Sequence, residues 1–260
     1  MKVAVTGGKG YLGYHVAEAF QAQALSRTTG FDVTDRKQCQ QLRDYDVVIH
    51  MAALVDKSEK QPYEVFKTNV QGTLNIAQAL RKGQALIFTS TKDVYTETDA
   101  YAQSKILAEN YVEYYAKYNG FRTGIFRLST TYAPSVGGSG FMNLFVESVQ
   151  EEAELSLLMK GKQRRDFLYV DDFSRAVKKF LLSSVDSRMY DIGGGKENSK
   201  TILGLVRIIE RVTNKKAKIR FSDEEVRGQI HYVTDLSRVA KELNWRPEVS
   251  LEEGIRKLAQ

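Results

Sequence analysis

The chain has 260 residues, 42% of them hydrophobic and 27% charged, a balance that suits a globular protein with a sizeable core. Its 38 Lys and Arg against 32 Asp and Glu leave a formal charge of +6. The basic residues are scattered and interleaved with acids, as in KSEK, so no like-charge run points to nucleic acid, and a basic bias suits an anionic small substrate instead. No apolar run approaches the roughly 18 residues that span a bilayer. MKVAVTGG opens on a strand with no signal-peptide core, and the single cysteine, Cys39, rules out an intrachain disulfide. A cytoplasmic protein with no membrane or nucleic-acid partner and no metal site is expected.

In chain order, short apolar runs predict strands at 2–6, 23–26, 46–52, 85–90 and 122–129. Amphipathic stretches between them predict helices near 11–22, 35–43, 62–82 and 100–119. This alternation reads as βα units around a doubly wound parallel sheet, an α/β fold. The last third differs in texture. Loops are expected at 134–140 and 193–199, residues 160–166 are polar and basic, and helices are expected at 141–153, 171–184, 199–213, 235–243 and 251–259. The expected organisation is a core over 1–132 and a smaller lobe over 133–260 that is partly interleaved with the core.

TGGKGYLG, residues 6–13, lies between the first strand and the first helix. Gly7, Gly10 and Gly13 give a GxxGxxG spacing. The first glycine frees the turn, the second admits a pyrophosphate close to the backbone, and the third lets the helix pack on the sheet. Tyr11 and Leu12 belong to the same cradle, at a helix N-terminus that favours anions. The second strand ends Leu25-Ser26-Arg27, without the acid that would bind a ribose 2′-hydroxyl. Ser26 and Arg27 favour NADP over NAD, unless Arg27 is merely a solvated loop residue. Asp32 and Val33 either flank the adenine or, for Asp32, cap the following turn.

Tyr101 and Lys105 in YAQSK share one face of a predicted helix. A nearby ammonium and a positive nicotinamide ring would lower the tyrosine pKa, so that the phenol takes a hydroxyl proton as hydride leaves, or returns it. Alone this pair is weak. With the glycine motif and TSTKDVY at the end of the fourth strand it becomes specific.

Together these motifs resemble the extended short-chain dehydrogenase/reductases, of Rossmann fold, in the NAD(P)-dependent nucleotide-sugar epimerase/dehydratase family. The resemblance runs almost the full length, through DVVIHMAA (46–53), FKTNVQGT, FTSTKDVY (88–95), YAQSK, FRLSTTYAP (126–134), RRDFLYVDD (164–172), YDIGGG (190–195) and LNWRPEVSLEEGI (243–255). It implies that Thr91 and Tyr101 hydrogen-bond the reacting sugar oxygen, with Tyr101 as acid/base and Lys105 as its partner on the nicotinamide ribose. Ala52 and Ala53 would line the cofactor groove and Asn69 would brace it. Thr130, Arg165 and Arg227 would meet the substrate, the arginines on the nucleotide diphosphate, although Arg165 would also suit an ion pair with Asp166 or Asp171. Tyr169, Asp171 and Asp172 are expected to shape the lobe.

Several departures bear on the reaction. Only five residues separate Tyr95 from Tyr101, where the family carries a longer excursion. Thr130 stands in place of an asparagine, and Ala133 in place of a glycine. Lys92 replaces one of the acids that drive water loss in sugar dehydratases. The resemblance therefore implies a nucleotide-sugar 4-epimerase working through a transient keto sugar. The alternatives are an NADPH-dependent nucleotide-ketosugar reductase and a non-enzymatic NADP(H) sensor. It also implies a homodimer through helices 62–82 and 101–119. Tyr111, Tyr114, Tyr115 and Tyr118 form a stripe on the second helix that suits an interface or a buried face.

Overall fold

Val3–Thr6, buried along its whole length, forms β1, the second strand from one edge of the first sheet. The computed structural model describes residues 1–56, 60–96, 98–136, 140–225 and 229–260. In chain order, β1 is followed by α1 (Tyr11–Phe20), β2 (Gln23–Leu25), α2 (Arg36–Cys39), β3 (Val47–His50), α3 (Pro62–Phe66) and α4 (Gly72–Ala79). Next come β4 (Ala85–Thr91), α5 (Ala100–Asn119), β5 (Arg122–Leu128), β6 (Thr130–Tyr132) and α6 (Phe141–Gln150). Then follow β7 (Glu154–Leu157), β8 (Arg164–Tyr169), α7 (Val170–Leu182), β9 (Ser187–Ile192), β10 (Ser199–Thr201) and α8 (Ile202–Thr213). The chain closes with β11 (Lys218–Phe221), α9 (Ser237–Leu243) and α10 (Leu251–Leu258).

The chain divides into two compact units, Met1–Leu128 with Ser174–Tyr190, and Ser129–Phe173 with Asp191–Gln260. In the first, the sheet order is β2-β1-β3-β4-β5-β9, and the pairs from β2 to β5 are parallel. The winding reverses between β1 and β3, which places a ligand crevice beyond their carboxyl ends. One core gathers Ala4, Val48, Leu86 and Ile125 of the strands with Ile76, Leu80, Ala108 and Val112 of the helices. β3 and β4 are buried along their whole length and begin with continuously apolar runs, Val47–Ile49 and Ala85–Phe88, because both faces are covered. Cys39 sits in this core with its thiol on the Val33 carbonyl, and burial pushes its pKa up to about 12, so it is inert.

The long helix α5 starts where Asp99 accepts the Ala102 N–H at 2.8 Å and stops at Gly120 in the left-handed region. α3 and α4 run on through a π turn at Lys67–Gln71, which carries Asn69.

In the second unit, β8 pairs with β10 and β6, and β7 pairs with β11. Asp172 is buried. Its carboxylate accepts the Glu248 and Val249 N–H groups, and its carbonyl accepts the Trp245 ring N–H at 3.0 Å. That ties the start of α7 to the segment before α10.

Two expectations are corrected. The helix predicted at 199–213 begins only at Ile202, because residues 199–201 pair antiparallel with β8 and Thr201 caps the helix through the Gly204 N–H. The helix at 35–43 is one α turn followed by a 3₁₀ turn at Gln40–Asp44. Among the described residues no helix is long and apolar enough to cross a membrane.

Candidate active site

The cradle after β1 is shaped by missing side chains. Gly7 has φ +73°, and a Cβ there would lie 2.7 Å from the Ala52 nitrogen. The loop after β3 thus closes directly on the turn after β1, at the point where the sheet winding reverses. A Cβ on Gly13 would lie 2.1 Å from the Gly7 carbonyl oxygen, which already accepts the Gly10 N–H at 2.9 Å. Gly10 is exposed and caps α1 with no side chain, and its carbonyl accepts the Tyr14 N–H at 2.9 Å, so the N-terminus of α1 opens directly onto this turn. A close-approach turn that leads into a helix N-terminus fits a dinucleotide pyrophosphate.

At the end of β2, the Ser26 hydroxyl bonds that of Thr28 at 2.7 Å. Arg27 donates from Nε to Asp32 Oδ2 at 3.1 Å, and Asp32 Oδ1 accepts both the Thr34 N–H and its hydroxyl at 2.9 Å. Burial acts to raise the Asp32 pKa, but the Thr34 bonds and Arg27 outweigh it and hold the carboxyl below its ordinary value. Asp32 therefore caps the turn and engages Arg27. The Val33 side chain is buried in the core against Gly72, and its carbonyl accepts from the Cys39 thiol and the Asn75 side-chain amide.

Tyr101 stands in the first turn of α5, opposite Thr91 at the end of β4. A hydrogen bond from Thr91 favours its phenolate, while burial, Asp93 and Asp99 push its pKa up, so the resting group is a neutral phenol. Lys105, 2% exposed, donates from Nζ to the Thr89 carbonyl at 2.9 Å and lies 4.8 Å from the Phe88 ring centroid and 5.9 Å from that of Tyr101. Burial lowers its pKa to about 8, against a raising effect of Glu109. Thr91, Tyr101 and Lys105 thus form one cluster. Lys92 and Asp93 beside it make a buried ion pair at 2.6 Å.

Asn69 ties this cluster to the cradle loop. Its side-chain amide bonds both the N–H and carbonyl of Leu54, two residues beyond Ala52 and one beyond Ala53, and donates to the Ser104 hydroxyl at 2.9 Å. Ser104 in turn donates to the Tyr101 carbonyl.

The sequence reading passed over His50, which lies buried behind this brace. The Thr73 hydroxyl spends its proton on the Asn69 carbonyl, so it accepts from His50 Nε2, and Nδ1 accepts from Thr6 at 2.7 Å. Burial, then Lys105, lowers the His50 pKa to about 3, so the ring stays neutral. The available signal was a lone histidine ending an apolar strand, which matches many structural roles.

Thr130 opens β6, and Arg165 lies in β8 opposite Lys200. The carboxylates once paired with Arg165 on paper are engaged elsewhere, Asp166 by the Gly195 and Thr234 N–H groups and Asp171 by Lys257. Arg227 lies outside the described residues.

Residues 3–193 match the model of the NAD dependent epimerase/dehydratase family. The UDP-glucuronate 4-epimerase of Thermodesulfobacterium geofontis is 29% identical, over 81% of this chain and 70% of that protein. A putative UDP-glucose 4-epimerase of Methanocaldococcus jannaschii is 26% identical, over 98% of this chain and 96% of its own length. Among solved structures, the UDP-glucuronic acid 4-epimerase of Bacillus cereus, in complex with UDP-glucuronic acid and NAD, superposes with a TM-score of 0.87 at 22% identity, covering 100% of this chain and 98% of that one. With the family model spanning well over half of the sequence, the chain belongs to the NAD dependent epimerase/dehydratase family.

Proposed function

We propose that the protein is a nucleotide-sugar 4-epimerase, and that Tyr101 is its acid/base. The Thr91–Tyr101–Lys105 cluster, joined through Asn69 to the glycine cradle, carries this reading. The 4-epimerase names of the relatives support it. The dinucleotide, when bound, supplies the hydride acceptor and donor for C4 of the sugar. Tyr101 takes the proton of the C4 hydroxyl and returns it after the keto sugar has turned over. Thr91 holds the same oxygen. Lys105, protonated at neutral pH, is the cation on this chain that stabilises the phenolate. Lys92, paired to Asp93, takes the place of an acid for water loss, which speaks against dehydration.

The first unit is assigned the dinucleotide, held by Gly7, Gly10, Tyr11, Leu12, Gly13, Ala52 and Ala53. The second is assigned the nucleotide sugar, through Thr130, Arg165 and Arg227. Residue type at Ser26 and Arg27 favours NADP. The Asp32 carboxylate, which accepts from Arg27 Nε at 3.1 Å, would repel a 2′-phosphate beside it, so we favour NAD. Purified protein is expected to release NAD(H) on denaturation and to interconvert C4 epimers of a UDP-sugar with no added cofactor. Arg27→Ala is expected to change NADH affinity by less than about twofold, because an exposed ion pair contributes little. Protein that is purified empty, binds NADPH at least about tenfold tighter than NADH, and consumes it with a ketosugar would replace the epimerase by a reductase.

A homodimer is proposed through α5. Tyr111, Tyr114 and Tyr118 are exposed, with Tyr114 and Tyr118 stacked 5.9 Å apart, whereas Tyr115 turns inward and accepts from Gln78. Sedimentation is expected to give twice the chain mass, falling to one for Tyr114→Glu/Tyr118→Glu. A wild-type monomer at micromolar concentration would refute the dimer. A cytoplasmic setting fits a single buried reduced thiol.

A further inference from the structure

Glu109 follows Lys105 by one helical turn, so both side chains leave α5 on the same face. Glu109 is 3% exposed and would be the natural counter-ion for Lys105. Both of its oxygens are instead held by Arg127, whose Nε donates to Oε1 at 2.9 Å and Nη2 to Oε2 at 2.6 Å. The remaining nitrogen, Nη1, donates to the Tyr95 hydroxyl at 2.8 Å, and the guanidinium lies 4.8 Å from the Tyr95 ring centroid. Tyr95 ends the turn Lys92–Tyr95 that begins at Thr91. Arg127 itself is fixed in β5, opposite Ser90 of β4. One planar fork thus joins β5, α5 and the turn after β4.

We propose that Arg127 is a positioning residue for the Tyr101–Lys105 pair. By occupying both Glu109 oxygens it keeps that carboxylate off Lys105, whose ammonium stays on the Thr89 carbonyl beside Tyr101. Through Tyr95 it also fixes the turn that carries Thr91. Among the described residues, the charged and titratable groups around Lys105 include Glu109 and Tyr101 on α5, the neutral His50 on β3, and the Lys92–Asp93 ion pair of the turn after β4, whose Asp93 acts on Tyr101. Of these, only Glu109 is a carboxylate one turn away whose reach is set by a separate residue.

The inference rests on the proposed proton-handling role of Tyr101 and Lys105, so its test needs a readout other than turnover. Lysines labelled at Cε are followed by ¹³C NMR against pH, with the Lys105 signal assigned by its loss in Lys105→Met. Arg127→Met frees Glu109 to pair with Lys105, and the Lys105 titration is expected to rise by about one pH unit or more. Glu109→Gln/Arg127→Met leaves no unpaired buried charge and is expected to bring it back to within about 0.5 unit of wild type.

Turnover should follow. An ammonium paired with Glu109 stabilises the Tyr101 phenolate less, so the acid limb of kcat moves to higher pH in Arg127→Met and returns in the double variant. KM is expected to stay within about twofold. A merely structural Arg127 would lower activity without moving either titration. A Lys105 titration unchanged in Arg127→Met, or still displaced in the double variant, overturns the inference. Should Arg127→Met fail to fold, Arg127→Lys is read instead. It keeps the charge but covers only one Glu109 oxygen, and a wild-type titration there overturns the inference. A displaced titration in a protein that epimerises nothing supports the inference while removing the proposed reaction.

Discussion

Tyr101→Phe is expected to lower 4-epimerisation by about 10²–10⁴-fold while leaving dinucleotide affinity within about twofold of wild type. The substitution deletes one oxygen and keeps the ring against which Lys105 rests. The group lost is the one whose proton moves. The cradle glycines, Ala52 and the Asn69 brace make no use of the phenol, since Asn69 reaches Tyr101 through Ser104 and the main-chain carbonyl. Thr91→Val removes the hydrogen bond that favours the phenolate, and a loss of about tenfold is expected there. NMR of the C4 epimers and fluorescence titration of the dinucleotide measure the two quantities separately. Equal turnover in Tyr101→Phe would take Tyr101 out of the mechanism. A parallel collapse of turnover and cofactor affinity would instead make the phenol a binding group.

The parts of the fold that could be read from sequence are those decided within a short stretch of chain. The buried parallel strands β1, β3 and β4 show short continuous apolar runs, VAV, VVI and ALIF, because both faces are covered, and β5 keeps only the pair Ile125-Phe126 of such a run. Helix α5 is bounded by a capping Asp99 and a left-handed Gly120, both local signals. None of the strands β6 to β11 is legible in the sequence, because β6, β7, β10 and β11 run only three or four residues and β8 and β9, RRDFLY and SRMYDI, mix charge with apolar residues, so their identity comes from partners far along the chain. The candidate site divides in the same way. Gly7, Gly10, Gly13, Thr91, Tyr101 and Lys105 lie in two short strings. His50, Ser104, Glu109 and Arg127 acquire meaning only through contacts 18–44 residues away. The Arg27 side chain is the opposite case. Residue type alone pointed to a phosphate, and a carboxylate five residues on, Asp32, is what engages it.

Gly13→Ala is expected to damage the fold and the cofactor site together, and Gly10→Ala only the second. The added methyl at position 13 would lie 2.1 Å from the Gly7 oxygen and 2.8 Å from its carbonyl carbon, both backbone atoms with no rotamer to yield. Either α1 moves off the sheet or the turn after β1 opens and breaks the Gly10–Gly7 hydrogen bond. Overpacking of this kind costs about 3 kcal/mol, or roughly 6–12 °C in Tm for a chain of this size. The displaced turn leads into the N-terminus of α1, so dinucleotide affinity is expected to fall by about 100-fold. At Gly10 the methyl would meet a single atom, the Gly7 oxygen, at 3.2 Å, a contact a few tenths of an ångström too close, on an exposed residue. Stability there is expected to hold within about 2 °C. The methyl would still stand where the backbone must approach the pyrophosphate, and a loss of affinity of about tenfold or more is expected. Thermal denaturation and dinucleotide titration of the two variants separate packing from binding. A Gly13→Ala protein with wild-type Tm would show that the helix can shift without cost, and a Gly10→Ala protein with wild-type affinity would move the pyrophosphate away from this turn.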